Sequence, residues 1–518
     1  MESDPLLART PGTQPPSSAR PVDIRRPSHS FLDQPMGSFK GPNTLGNFAQ
    51  SFTRAQSFAA SLVDNEIHRQ RSFFDPDNSV FEDELVDPDY LVPSVRGQRL
   101  SVVSRQSSMI SSLKHTVDGV VLVQGQSTAP QTVFNSINVL IGVGLLALPV
   151  GLLKAGWVWG VPILLMCGLA TWSSAKLLSK AMDTDPTIMT YADLGYASYG
   201  AAIKLLISLI FSVDLLGAGV ALIILFSDSL AALFVDYGIS HTKFKLLAFV
   251  VLTPFTFMPL RVLSFFSLLG ILSTITITVL VGVCGLVKST SPGSLLEAMP
   301  TNLWPESTKD LLLALGILMA PFGGHAIFPN LKSDMRHPYK FESTLNYTYL
   351  VTMLADCSMA VVGFIMFGPL CNNEITNNIL LTEGYPKWMY PLITGLLCIV
   401  PLAKTPLNAK PIISTLESVL LPQTTTTNTT NFITNVGSAA IKIGVNAAFV
   451  ALACLFPEFD KIIGMLGASI CFLVCIVLPG LFYLKLCTPT RFEAVMVKAA
   501  VALALVLGTV ATLAVLTS

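Results

Sequence analysis

The chain has 518 residues, 52% of them hydrophobic and only 12% charged, with a formal net charge of zero and a mean hydropathy of +0.62. A soluble domain carries about 25% charged residues, and the deficit here is uneven. Residues 1–130 hold 26 of the 64 Lys, Arg, Asp and Glu side chains, and the other 388 residues hold 38. These figures exclude a single soluble globule, a disulfide-rich secreted module and a wholly disordered chain. With no basic stripe, they also exclude nucleic acid as the main partner.

Residues 1–125 are rich in Ser, Pro, Gln and Arg and carry an acidic cluster from Glu82 to Asp89. Such a stretch cannot bury enough apolar surface to offset chain entropy, so a disordered tail is predicted. It offers short signals. Glu2-Ser-Asp-Pro-Leu6-Leu7 fits the acidic dileucine pattern read by sorting adaptors, and Arg25-Arg26-Pro-Ser28 and Arg105-Gln-Ser107-Ser108 fit basophilic kinase sites. No apolar stretch follows a basic start, so insertion is expected to begin at the first internal span.

From residue 131 to 517 eleven apolar spans follow, near 131–153, 157–180, 203–235, 245–260, 264–287, 310–330, 345–369, 387–405, 436–456, 462–485 and 494–516. Each approaches the length that crosses a hydrocarbon core about 30 Å thick. Backbone groups must be satisfied inside lipid, so all-α spans are predicted; the fourth and eighth are short as apolar runs. Lys176, Lys180, Arg261, Lys332, Arg336, Lys340, Lys404, Lys410, Lys485 and Arg491 fall on the side of the tail, while the opposite connections are mixed or acidic. That bias places the N-terminus in the cytosol and the C-terminus across the membrane. The sequon Asn428-Thr-Thr then lies in an unglycosylated cytosolic loop. All nine cysteines follow residue 166. They form no metal or redox motif and are expected to pack as small apolar side chains.

Two spans carry internal breaks. The first reads Asn135-Ser-Ile-Asn138-Val-Leu-Ile141-Gly142-Val143-Gly144-Leu-Leu-Ala-Leu-Pro149, and the sixth reads Ala320-Pro321-Phe322-Gly323-Gly324-His325-Ala326-Ile327-Phe328-Pro329. In each a glycine precedes a proline by five residues, a pairing that costs helix propensity and backbone hydrogen bonds. Spans one and six correspond if spans 1–5 and 6–10 are two repeats, and paired breaks of that kind point to a transporter site at the membrane midplane. A broken helix presents free N–H groups at one half's start and free C=O groups at the other half's end. Together they suit a small zwitterion, with Asn138, Ile141, Gly142, Val143, Gly144, Ala320, Phe322, Gly323 and Gly324 as its candidate neighbours.

These two segments, with TDPTIMTYADLGYASYG at 184–200, GGHAIFPNLKSDMRHP at 323–338, LLTEGYPKW at 380–388, PLAKTPLNAKP at 401–411 and FPEFDKIIGMLGA at 456–468, resemble the amino acid/auxin permease family. The similarity is to fungal vacuolar amino-acid transporters, in the branch that includes vesicular inhibitory amino-acid transporters. The resemblance implies a LeuT-type fold of two inverted five-helix repeats with an eleventh helix. It also implies a cytosolic tail and proton-coupled exchange that moves neutral amino acids into an acidic vacuole.

Ionisable groups inside spans are functional candidates. His325 adjoins the sixth-span break and titrates near the pH range that separates cytosol from an acidic lumen. Asp214 and Asp356 lie deep in the third and seventh spans; Asp228 is nearer the far end of the third. Lys404, at the end of the eighth apolar run, is expected to reach toward the headgroups, or to stand where a sodium ion sits in sodium-coupled relatives. His325, Asp214, Asp356 and Lys404 are therefore the proton-coupling candidates. No cofactor or metal is expected beyond the proton gradient, and no enzyme motif occurs. A sodium-coupled or symporting permease and a non-transporting amino-acid sensor remain as alternatives.

Overall fold

The computed structural model describes residues 113–117, 120–123, 127–185, 187–258, 260–421 and 428–517. Within the stretch expected to be disordered, Leu113–Val117 (β1) pairs antiparallel with Val120–Val123 (β2), as its valine-rich composition favours. Ser127 then joins the chain to the loop between the sixth and seventh spans. Its N–H donates to the Asp334 carbonyl at 2.7 Å, and its own carbonyl accepts the Arg336 N–H at 2.9 Å.

All the expected spans appear. The first is Ala129–Leu140 (α1), a tight turn Val143–Ala147, and the start of Leu148–Met182 (α2). The rest of α2 is the second span, and the two part at Gly156. Its φ of 67° is open to glycine without strain, and a Cβ there would lie 2.5 Å from the Leu303 carbonyl oxygen. Tyr191–Tyr199 (α3) lies on the tail side and leads into Ala201–Leu233 (α4), the third span. The fourth is short, His241–Leu252 (α5) with a tight turn to Phe257, and the fifth is Leu260–Val287 (α6). The sixth is divided into Thr308–Met319 (α7) and Phe328–Ser333 (α8), followed by Phe341–Phe367 (α9). A short helix, Ile375–Leu381 (α10), lies on the far side before Met389–Leu420 (α11) and Asn428–Leu455 (α12). The tenth span comprises Phe459–Met465 (α13), two π turns and Leu478–Leu486 (α14); Arg491–Leu516 (α15) is the eleventh. Among the described residues, eight helical segments are long and apolar enough to cross a membrane. The difference from eleven is the fusion of the first span with the second, the short fourth and the divided sixth.

Packing sorts these helices into two sets. α1, α2, α7 and α9 pack on one another, and α4, α5, α11 and α12 form a second group. The first set holds spans one and two with six and seven; the second holds three and four with eight and nine. Each set thus pairs spans five apart, the arrangement that two five-span repeats produce. α6 touches both sets, through α11 and α9.

Two boundaries differ from the sequence reading. The eighth span continues through Pro401, Pro406 and Pro411 to Leu420, so Lys404 sits midway along it rather than at its end. The sequon at Asn428 opens α12 instead of lying in a loop.

Candidate functional site

At the first break α1 stops after Leu140. Ile141 (φ −74°, ψ 83°) and Gly142 (φ −106°, ψ −163°) leave the helical region, and the chain resumes as the turn Val143–Ala147. Pro149 falls in the first turn of α2, where a missing N–H costs least. The resumed helix starts with the N–H groups of Val143, Gly144 and Leu145 lacking intrahelical acceptors. On the other side of the gap the Leu140 carbonyl accepts the Gly142 N–H at 2.8 Å. The Ile141 carbonyl accepts from Lys404 Nζ at 3.3 Å.

The second break is built alike. α7 ends at Met319, Ala320–Phe322 form a tight turn with Pro321, and Gly323 (φ −73°, ψ 46°) departs from the helix. Gly323 N–H donates to the Ala320 carbonyl at 3.2 Å and Gly324 N–H to the Phe322 carbonyl at 2.8 Å. Two thiols of the tenth span point at the same carbonyls: Cys471 Sγ is 3.9 Å from Ala320 O and Cys475 Sγ 3.5 Å from Phe322 O. The π turns Leu466–Cys471 and Leu473–Val477 widen the helix at this level, a distortion concentrated at functional sites. Sequence reading had assigned both cysteines to packing alone.

The two breaks touch. A Cβ built on Gly144 would lie 3.6 Å from Pro321 N and 3.7 Å from Ala320, and one on Gly324 would lie 2.7 Å from Leu140 Cδ2. The structure therefore brings Ile141, Gly142, Val143 and Gly144 together with Ala320, Phe322, Gly323 and Gly324, a set without a charged side chain. Asn138 is buried on the last turns of α1, and its Nδ2 finds no acceptor among the described residues.

The ionisable candidates surround this contact from different directions. His325 is fully buried, with Nε2 at 3.0 Å from the Thr171 carbonyl and 2.9 Å from Ser174 Oγ, both on α2. A carbonyl only accepts, so Nε2 carries the hydrogen and Nδ1, which has no partner, is a bare acceptor in the neutral ring. Asp356 is fully buried and neither carboxylate oxygen has a hydrogen-bond partner among the described residues. Two turns further along α9, Gly363 packs on Pro149. α9 also packs on α1 and on the turn Val143–Ala147, which sets the helix that carries Asp356 against the first break. Asp214 instead faces a crevice lined by Tyr191, Phe211, Ala326 and Val474, beside the second break rather than within it. Lys404 does not reach the headgroups, because its ammonium ties α11 to the end of α1 across the middle of the bundle. Asp228 is held by His241 Nδ1 at 3.0 Å on the far side. Glu2, Leu6 and Leu7, with the candidate kinase sites, lie outside the described residues.

Lys332 was read only as a topology marker. It is buried on α8, and its Nζ donates to Ser179 O at 2.8 Å, Ser179 Oγ at 2.9 Å and Asp183 Oδ1 at 2.6 Å. All three ammonium hydrogens are thus used, clamping the tail-side half of the sixth span to the end of α2.

Two contacting helix breaks in a multi-pass bundle agree with what sequence comparison finds: the profile described as "Transmembrane amino acid transporter protein" matches residues 125–518. The chain belongs to this transporter family. Its relatives include "Amino acid transporter AVT1E" of Arabidopsis thaliana, 27% identical over 487 residues that cover 91% of this chain and 86% of that protein. "Amino acid transporter AVT1B" from the same plant is 27% identical over 524 residues, 96% of this chain and 89% of the relative. These relatives are transporters and not enzymes. Among solved structures, one described as a substrate-bound outward-open state of a Na+-coupled sialic acid symporter aligns with a TM-score of 0.46 and 13% identity, covering 72% of this chain and 88% of the other.

Proposed function

We propose that this amino acid transporter is a proton-coupled antiporter that loads neutral amino acids into an acidic vacuole by alternating access. The observation that carries the reading is the contact between the breaks at Ile141–Gly144 and Ala320–Gly324. The N–H groups that open the turn at Val143 receive the substrate carboxylate. The Ala320 and Phe322 carbonyls each accept one backbone N–H and one weak thiol donor, and the ammonium takes the place of the thiols. The break residues themselves bring no charged side chain, and the Lys404 ammonium beside them is engaged by the Ile141 carbonyl, which favours neutral amino acids.

In this reading the tail side is cytosolic and the far side luminal. The first set of helices rocks against the second around the substrate, and protonation of His325 at Nδ1, with Asp356 and Asp214 as further carriers, differs between the two facing states. A proton leaves the lumen as an amino acid enters. Lys404, an internal cation on the Ile141 carbonyl, supplies a fixed charge there and supports independence from sodium. Within the family we assign the chain to fungal vacuolar members of the branch that includes vesicular inhibitory amino-acid transporters, with the dileucine segment as its sorting signal.

Uptake of labelled neutral amino acids into vacuolar membrane vesicles tests the reading. Uptake is expected to need the proton gradient and to persist when choline replaces sodium. Uptake that survives an uncoupler, or that stops without sodium, overturns it.

A further inference from the structure

The far side of the bundle carries a group that the substrate site does not use. Glu374 immediately precedes α10. It is 1% exposed, and neither of its carboxylate oxygens has a hydrogen-bond partner among the described residues. The Thr376 hydroxyl, fully buried two residues on, also lacks one. α10 packs on α4, and α4 packs on α13. These neighbours bring two more carboxylates into Glu374's electrostatic surroundings: Asp228 near the far end of α4, 7% exposed, and Asp460 on α13, 9% exposed. The remaining charges around the cluster are few. His241, at the start of α5, contacts Asp228 at 3.0 Å. Lys154, Lys461 and Glu458 lie near Asp460, and Lys154 also pairs with Asp310 at 3.5 Å while Lys461 pairs with Glu458 at 2.8 Å. Among the described residues, the charges that act on Glu374 are those of Asp228 and Asp460.

We propose that Glu374 is a proton-binding site that controls the far-side cover of the substrate site. Three elements meet there with three carboxylates: His241 contacts Asp228, Lys154 and Lys461 lie near Asp460, and Glu374 has no hydrogen-bond partner among the described residues. A carboxylate buried without a hydrogen-bond donor is stable only as the neutral acid. Burial, followed by the charges of Asp228 and Asp460, holds the Glu374 carboxyl well above the ordinary carboxylate range. A proton taken from far-side water forms the neutral carboxyl and lets α10 remain seated on α4. Its loss leaves three like charges that push α10 away from α4 and α13. α10 also packs directly on the turn Val143–Ala147, so proton occupancy at Glu374 sets whether the first break is covered on that side. An acidic far-side compartment closes the cover.

This inference rests on the proposed transport reading, and one experiment separates the two. Exchange of labelled for unlabelled neutral amino acid is measured in sealed vacuolar vesicles holding the full-length chain. Luminal pH is varied at fixed external pH, with equal total amino acid on the two sides. Wild-type exchange is expected to fall as the lumen is acidified. Glu374→Gln, a permanently neutral isostere, is expected to lose this dependence. Asp228→Asn keeps the Glu374 carboxyl and removes one neighbouring charge, so its midpoint is expected about one pH unit lower. It tests the site even if Glu374→Gln misfolds. Wild-type pH profiles in both variants overturn the proposal. Uptake that resists uncoupler while the exchange profile still depends on Glu374 overturns proton coupling and upholds the site. Dependence on external pH instead, lost in Glu374→Gln, upholds the site and reverses the orientation.

Discussion

Replacing Gly467 with alanine is expected to disable transport by prising the tenth span from the second break. A Cβ at Gly467 would lie 1.9 Å from the Gly316 carbonyl oxygen, 2.8 Å from its carbon and 3.0 Å from Ala320 N. All three are backbone atoms, so no side-chain rotation relieves the clash. Reaching an ordinary carbon–oxygen contact of about 3.4 Å requires the helices to separate by roughly 1.5 Å, and overpacking of this kind costs about 1–3 kcal/mol. Gly316 lies one turn before Ala320, so the separation falls on the carbonyls facing the first break, where a displacement of about 1 Å can cost on the order of 100-fold in rate. The assay pairs uptake of a neutral amino acid with thermal unfolding of the purified chain. A control is Gly282→Ala, whose Cβ meets nothing within 4 Å. Gly467→Ala with the control's uptake rate and Tm would refute the reasoning.

Other perturbations have equally defined outcomes. Lys404→Met removes the ammonium from the Ile141 carbonyl; a charged hydrogen bond of about 1.5–3 kcal/mol corresponds to a 10- to 100-fold loss of uptake, and unchanged uptake would deny the tether any part in transport. His325→Gln is expected to abolish accumulation against a gradient while substrate exchange persists, and full accumulation by this variant would remove His325 from the coupling. Lys332→Met strands the Ser179 carbonyl and is expected to cost about 1–3 kcal/mol in unfolding. That range omits a stranded-charge cost because Asp183 stays 61% exposed and hydrated; an unchanged Tm would contradict the clamp. Glu374 gives the fold a pH dependence with a definite sign. Its folded value is raised, so its contribution is fully present below the ordinary value of 4.5 and is lost as pH rises through the folded value. Tm measured from pH 4.5 to neutrality should fall less in Glu374→Gln than in wild type, and equal slopes would contradict the assignment.

The breaks were legible in the sequence because Gly and Pro act locally. Gly142, Gly144 and Pro149 interrupt one helix, and Pro321, Gly323, Gly324 and Pro329 the other, whatever surrounds them. Their contact was inferable only through the repeat correspondence. Lys404 was misplaced because Pro401, Pro406 and the lysine itself end the apolar run, although neighbouring helices tolerate such prolines and the helix continues to Leu420. The thiols of Cys471 and Cys475 reach the second break through π turns that leave no pattern in the residues. Glu374 sits in a polar connection that reads as exposed loop, and only the packing of α10 against α4 buries it. The ribbon β1–β2 was missed because four valines within Leu113–Val123 were averaged into a polar tail.

The most direct measurement is accumulation of a labelled neutral amino acid by proteoliposomes holding the purified full-length chain, sodium-free, with a proton gradient as the only driving force. Accumulation into the acidic side that collapses with an uncoupler, and that Gly144→Val abolishes by filling the contact with Pro321, is the expected result. Equal accumulation with and without the gradient, or undiminished accumulation by Gly144→Val, would contradict proton-driven transport at the facing breaks.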